Sequence, residues 1–350
     1  NAVDPFETIE KYGSDPLRWY MITNSSPWDN LKFDIEGVEE VRRKFFGTLY
    51  NTYSFFALYA NVDGFTGTEA EVPVAERPEI DRWIISLLNS LIKEVDEYYA
   101  SYEPTRAGRA IADFVNDNLS NWYVRLNRKR FWGGDMNQDK LAAYQTLFTC
   151  LETIARLMAP IAPFYADRLY TDLTTATGRD DKSVHLSNYP TCNTEYIDSE
   201  LEERMRIAQD ITSMVLALRR KVNIKVRQPL TTLMVPVVDE TQRRHIEAMR
   251  ELILAEVNVK ELNFVDNAAG ILVKRVKPDF KKLGPRYGKI MKQLAATITE
   301  MSQEDILTFE KNGTFTFNID GTEAVVEAAD VEILSEDIPG WLVANEGRLT

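Results

Sequence analysis

The 350 residues are 44% hydrophobic and 27% charged, with a formal net charge of −13, a composition that fits a globular protein long enough for two or three domains and repels nucleic acid on average. No run approaches the ~18–20 apolar residues of a membrane helix, and the first residues lack the basic, apolar and small-residue order of a secretory signal, so the expected setting is the cytoplasm with no membrane partner. The only cysteines, Cys150 and Cys192, and the only histidines, His185 and His245, exclude a disulfide framework, a four-thiolate zinc site and a His-rich metal centre.

In chain order, the first predicted element is a short helix from Pro5 to about Tyr20, followed by a loop at Ser25 to Asp29. A piece of this size buries no core alone and reads as the tail of a domain lying upstream. From Gly37 to about Thr177 the periodicity is helical. Trp83, Leu87, Leu91, Val95 and Tyr98 recur at spacings of three and four, one buried face of a helix starting near Pro78. Further helices are predicted from about Pro104 to Phe131, from Asp139 to Ala159 and from Phe164 to Leu173, with Pro160 and Pro163 breaking the run. Cys150, inside an apolar helical stretch, reads as core packing. Short links between long amphipathic helices favour an antiparallel bundle.

After a turn-rich stretch, Asp198 to Lys221 is another long helix, and composition then shifts toward strands. Leu230 to Val238, Lys260 to Val265, Ile271 to Val276, Thr314 to Ile319 and Glu323 to Ile333 are strand-like. Helices are predicted near Glu240 to Glu256, Gly288 to Thr299 and Gln303 to Phe309, and strand-like sequence recurs at Trp341 to Thr350. The fold class is therefore mainly α followed by α+β, an antiparallel helical bundle with a C-terminal mixed α/β domain. Four segments are expected: 1–35, a bundle over 36–190, a connecting helix and hinge over 191–229, and an α+β domain over 230–350.

The sequence holds no Gly-rich phosphate loop, no Gly-x-Ser-x-Gly elbow and no His-Glu-x-x-His, so no catalytic residue and no metal ligand is assigned. Three basic clusters stand out. Arg125, Arg128, Lys129 and Arg130 are interleaved with Trp122, Tyr123, Phe131 and Trp132, a mixture that suits single-stranded RNA, whose phosphates need cations and whose bases stack on rings. The same residues also read as bundle core plus cations favoured at a helix C-terminus. Arg219, Arg220, Lys221, Lys225 and Arg227 form the second cluster, with no acidic residue between Ile211 and Val238.

The third, Lys274 to Lys289, sets seven Lys and Arg against one Asp. It reads either as an anion-binding segment or as a solvated loop with Gly284 and Gly288 at turns. Acidic residues crowd the tail from Glu300 to Asp337, so the chain is electrically polar along its sequence. Screening over ~8–10 Å lets one basic face meet RNA in spite of the net charge.

Several ordered motifs resemble the class I aminoacyl-tRNA synthetases. Asn1-Ala-Val-Asp-Pro-Phe-Glu-Thr-Ile-Glu-Lys-Tyr-Gly13 with Asp15-Pro-Leu-Arg-Trp-Tyr-Met21 is similar to the segment that follows their Lys-Met-Ser-Lys-Ser loop. Asn121 to Gly133 resembles their helical anticodon-binding domain, and Ser183-Val-His-Leu-Ser187 with Tyr189-Pro190 the stretch that closes it. Val222-Asn-Ile-Lys-Val-Arg-Gln-Pro-Leu230, Asn258-Val-Lys-Glu-Leu262 and Lys277 to Gly288 point to the isoleucyl branch, in its subtype with an extended C-terminal region.

The resemblance implies an anticodon-binding fragment that lacks the catalytic and editing sites, with isoleucine tRNA and an upstream catalytic domain as partners. It implies no cofactor here, ATP and Mg belonging to the parent ligase reaction. It makes Arg18 and Trp19 candidates for stem contact, Trp19 reading equally well as packing. Arg125, Arg128, Lys129, Arg130 and Trp132, the group Arg219, Lys221, Lys225 and Arg227, and the group Lys281, Lys282, Arg286 and Lys289 are assigned to RNA binding. The competing readings are the same domain from a valyl or leucyl enzyme, and a helical protein-interaction module whose cations are solvated surface.

Overall fold

The computed structural model describes residues 3–178, 182–237, 239–266, 274–319, 321–335 and 342–344. They fall into two compact units, Asn1–Glu202 and Glu203–Thr350. An all-helical region precedes a mixed α/β region, as the sequence implied.

In the first unit, helix α1 (Pro5–Tyr12) starts where Asp4 accepts the backbone N–H groups of Phe6 and Glu7 and Pro5 takes the first turn. The single helix expected here is two, because Gly13 at φ 91° breaks the ladder before α2 (Ser14–Asn24). Helix α3 (Ile35–Val41) is capped by Asp34, whose own N–H donates to the Tyr20 hydroxyl. Tyr12, Tyr20 and Val38 form the small core of this part. A π-helical turn, Arg42–Phe46, runs into α4 (Gly47–Asp63), which ends at the left-handed Gly64.

Helix α5 (Glu79–Ala100) buries Trp83, Leu88, Leu91 and Val95. It packs on α6 (Pro104–Asp113) and α8 (Gln138–Met158), and α8 packs on α9 (Pro163–Thr174). The predicted helix from Pro104 to Phe131 is continuous, but its middle, Phe114–Val124, is π-helical before α7 (Arg125–Phe131). Cys150 lies in the core, and burial pushes its thiol well above the ordinary range.

Helix α10 (Ser199–Lys221) leads into strand β1 (Leu230–Val237). Strand β1 pairs in parallel with β2 (Val259–Asp266), Leu230 lying opposite Val259 and Val235 opposite Phe264. A parallel pair needs a long crossover, supplied by α11 (Glu240–Ala248) and α12 (Arg250–Val257), which replace the single helix expected over this stretch.

Strand β3 (Lys274–Pro278) then pairs antiparallel with β6 (Val331–Ser335), and β4 (Thr314–Ile319) forms a hairpin with β5 (Thr322–Glu327). Helices α13 (Phe280–Tyr287), α14 (Met291–Thr299) and α15 (Gln303–Asn312) complete a core around Leu283, Leu294, Ile298, Phe309 and Phe317. The strand expected at Glu323 to Ile333 is interrupted by a 3-10 turn at Ala328–Asp330. Of the strand expected at Ile271 to Val276, residues 271–273 lie outside the described residues. So does most of the Trp341 to Thr350 stretch, whose described part, 342–344, has no regular structure.

Among the described residues no helix is long and apolar enough to cross a membrane.

Candidate nucleic-acid interface

The first basic cluster sits at the end of the long helix formed by α6, the π-helical stretch and α7, and it is built around an internal ion pair. Asp81, at the start of α5, is 0% exposed. It receives both ends of the Arg130 guanidinium and the Tyr123 hydroxyl, the latter at 2.8 Å. Arg130 Nε also donates to Asp139 at 3.0 Å, and Nη2 donates to the Asp139 carbonyl at 2.8 Å. Burial alone would lower the Arg130 pKa, but the Asp81 carboxylate outweighs it and holds the guanidinium above its usual value. Burial, reinforced by the Asp81 charge, pushes the Tyr123 phenol well above its usual value.

Every edge of the Arg130 fork is thus engaged by protein groups, the buried Asp81 on one side and the exposed Asp139 on the other, and the phosphate contact expected of it would have to compete with them. Arg125, Arg128 and Lys129 are exposed on the helix's final turns, and Trp132, 52% exposed, follows in an extended conformation. The Arg125 guanidinium lies 5.8 Å from the Trp122 ring centroid and donates to the Asn121 carbonyl. Arg128 and Lys129 have no carboxylate partner among the described residues. Exposed cations beside an exposed indole make a surface that can neutralise phosphates and offer a face to an unstacked base.

In the second cluster the structure separates Arg219 from its neighbours. Arg219, expected to contact RNA, is 2% exposed and donates to the carbonyls of Lys225, Gln228, Val257 and Asn258, so its donors are turned to the protein's own backbone. Lys221, Lys225 and Arg227 are exposed, as is Arg220, and none has a carboxylate partner among the described residues.

The third cluster is more neutralised than its sequence suggests. Where one of the two readings is a solvated loop, the segment contains helix α13, started by Asp279, whose side chain accepts the Lys281 N–H at 2.9 Å. Lys274 is buried and paired with Glu310 at 2.7 Å. Arg286 pairs with Asp330 at 2.6 Å, and Lys282 donates to the Ala329 carbonyl. Lys281 and Lys289 are exposed and without a carboxylate partner among the described residues.

Of the two stem-contact candidates, Arg18 is half-exposed, paired with Asp15 at 3.1 Å and 5.3 Å from the Phe164 ring centroid. Trp19 is 1% exposed and stacked on Phe45 at 4.3 Å, which makes it core rather than surface. Sequence reasoning passed over Arg42 and Arg43, exposed on the π-helical turn, although two adjacent arginines were a legible signal. It also passed over Asp81, whose partner lies 49 positions away and leaves no local mark. Among the described residues no group of three or more His, Cys, Asp or Glu is placed to hold a metal ion.

Residues 81–235 match the family model for the anticodon-binding domain of tRNA ligase. A long-helix bundle whose α7 end presents cations and an indole, falling within that match, defines the class as the anticodon-binding part of a tRNA ligase. Over its full length the chain is 76% identical to the isoleucine–tRNA ligase of Bacteroides thetaiotaomicron, covering 30% of that protein. It is 70% identical to that of Porphyromonas gingivalis, again covering 30% of it, and 38% identical to that of Clostridium tetani, covering 33%. The chain belongs to the isoleucine–tRNA ligase family and spans about a third of the length of these relatives. The valyl and leucyl readings give way to the isoleucyl one.

Proposed function

We propose that this chain holds the anticodon arm of isoleucine tRNA in the cytoplasm, positioning it for a ligase reaction carried by parts of the relatives' length that it does not span. The ATP-dependent joining of isoleucine to tRNA would belong to those parts, which would be its intramolecular partners. In this reading 1–35 belongs to the stem-contact region, 36–190 grips the arm, 191–229 is the connecting hinge and 230–350 closes over the loop.

The observation that carries the reading is the exposed end of α7. There Arg128 and Lys129 lack carboxylate partners among the described residues and stand beside the exposed Trp132, on a helix end fixed by the Arg130–Asp81 pair. Arg125, Arg128 and Lys129 would meet phosphates, with Trp132 a stacking surface. Lys221, Lys225 and Arg227 would form a second contact, and Lys281, Lys282 and Lys289 a third. Phosphate contacts position an RNA, whereas base contacts specify it.

The test is binding of the chain to isoleucine tRNA, to the same tRNA with an exchanged anticodon, and to valine tRNA across a salt series. Log affinity is expected to fall with log salt by ~0.7–0.9 per phosphate contact, and to fall further on anticodon exchange. Weak binding that ignores the anticodon would leave a general RNA-positioning module. Binding to none of the three would restore the protein-interaction reading.

A further inference from the structure

The loop from Val222 to Pro229 is tied down from beneath at several points, while its side chains from Lys225 to Pro229 are exposed. Arg219 Nη1 donates to the carbonyls of Lys225 at 3.2 Å and Gln228 at 3.0 Å. Its Nη2 donates to the carbonyls of Val257 at 2.8 Å and Asn258 at 3.0 Å, the C-terminal end of α12. Asn258, left-handed at φ 51°, donates its side-chain amide to the Val226 carbonyl at 2.7 Å, and its own carbonyl accepts the Leu230 N–H. The Ile224 N–H returns to the Arg219 carbonyl at 2.8 Å.

Two consequences follow. The loop's carbonyls at 225, 226 and 228 accept hydrogen bonds from Arg219 and Asn258, so these three dipoles are taken up by the tethers. The cation beneath is partnered by carbonyls and, among the described residues, by no carboxylate, so its charge adds to that of Lys225 and Arg227. Only a guanidinium has the planar fork of donors to reach two loop carbonyls and two helix-end carbonyls together. A helix C-terminus is also where a cation is electrostatically favoured.

We propose that Arg219 is a positioning residue that preorganises the Val222–Pro229 loop, with Asn258 as its second tether, so that Lys225 and Arg227 meet an RNA backbone without an ordering cost. This rests on the reading of the loop as an RNA contact. Preorganisation raises affinity by removing the entropy otherwise lost when a loop and its long side chains are fixed on binding.

The experiment measures affinity of the chain for isoleucine tRNA across a salt series, for the Lys225→Ala/Arg227→Ala double variant, for Arg219→Lys, and for the three changes combined. The double variant is expected to weaken binding and to flatten the salt slope by about two phosphate contacts, at ~0.7–0.9 each. Arg219→Lys keeps the charge and loses the fork, and is expected to cost about three- to tenfold in affinity, the scale of reordering one or two side chains. It is also expected to speed amide exchange at Ile224, Gln228 and Leu230.

The decisive comparison is the combined variant, expected to bind like the double variant, because Arg219 acts through those two side chains. An Arg219→Lys loss of the same factor in both backgrounds, or no loss at all, would overturn the proposal. If the double variant binds like the unaltered chain, the RNA reading of the loop fails first, and the exposed side chains alone report it. Should Arg219→Lys not fold, Asn258→Gly replaces it: glycine accepts the left-handed φ without strain and only the Val226 tether is lost. The same dependence on Lys225 and Arg227 is expected of that variant, and an effect independent of them would overturn the proposal equally.

Discussion

Arg130 and Asp81 meet fork to fork, Nη1 to Oδ1 at 2.7 Å and Nη2 to Oδ2 at 2.9 Å, across 49 positions of sequence. The pair joins the start of α5 to the end of α7. That junction decides which cations of the first cluster are structural and which are presented. Removing one partner of a buried pair leaves an uncompensated charge and costs about 3–5 kcal/mol. Asp81→Asn is therefore expected to lower the urea midpoint sharply. Arg130→Met should lower it too while leaving the salt slope of RNA binding unchanged. Arg128→Ala/Lys129→Ala should do the reverse, flattening the slope by ~0.7–0.9 per contact at unchanged stability. A flattened slope in a folded Arg130→Met variant would return Arg130 to the RNA surface.

The Gly133–Gly134 turn behind Trp132 is held by a second buried cation. Lys140 Nζ lies 2.6 Å from Asp63 Oδ2 and 3.3 Å from the carbonyls of both glycines. Burial would raise the Asp63 pKa, but hydrogen bonds from Lys140 and Tyr144 outweigh it and the carboxyl sits below its ordinary value. A carboxyl depressed in the folded state contributes stability that is present above its unfolded pKa and is lost as pH falls through the folded one. Asp63→Asn is thus expected to be less stable than the unaltered chain at pH 7, with the gap closing as pH falls below about 4, the unfolded range of an Asp. Melting temperatures from pH 7 to pH 3 measure this, and parallel curves would sink it.

What the sequence made legible was where charge accumulates, and what it hid was where the opposing charge arrives. Helical periodicity is local, so the bundle and the change to strands could be read directly. The partition of each basic cluster could not, because it depends on carboxylates or carbonyls brought from afar: Asp81 to Arg130, the end of α12 to Arg219, Asp330 to Arg286. The acidic tail, segregated in sequence, folds back beside the basic segment when β6 pairs with β3 and sets Glu332 opposite Lys277. Polarity along the chain is thereby partly cancelled in space. The split between α1 and α2 turns on one backbone position, Gly13 at φ 91°, and neither it nor the π-helical stretch could be read from helical periodicity. The resemblance made Trp19 a stem-contact candidate, yet a large apolar ring is placed by the core that needs it.

Gly108 lets α6 approach α2. A Cβ built there would lie 2.5 Å from Thr23 Cγ2 and 3.4 Å from Ile161 Cδ1, and Thr23 is short and β-branched, with its hydroxyl donating to the Trp19 carbonyl. It has little freedom to yield. Gly108→Ala gains helix propensity of about 1 kcal/mol but overpacks a close contact at a cost of about 1–3 kcal/mol. The net expectation is destabilisation, read as a lower urea midpoint at unchanged denaturant slope. A stabilised variant would show that the two helices can part without loss.

The third cluster separates by the same logic. Asp330 receives Arg286 at 2.6 Å and the Glu327 N–H at 3.0 Å, and Arg286 also donates to the Val325 carbonyl at 2.9 Å. One ion pair thus closes the turn between β5 and β6 against α13. Asp330→Ala orphans the Glu327 N–H, a loss of about 1–3 kcal/mol. Lys281→Glu/Lys289→Glu changes two exposed side chains and should leave stability within about 0.5 kcal/mol per site while weakening tRNA binding. Arg286→Glu places like charge against Asp330 and is expected to lower the melting temperature. Its effect on affinity should follow the loss of the turn, so that Asp330→Ala reproduces it although it removes no cation. If Arg286→Glu weakened binding at an unchanged melting temperature while Asp330→Ala bound normally, Arg286 would be reaching the RNA itself, and the third cluster would be a contact surface throughout.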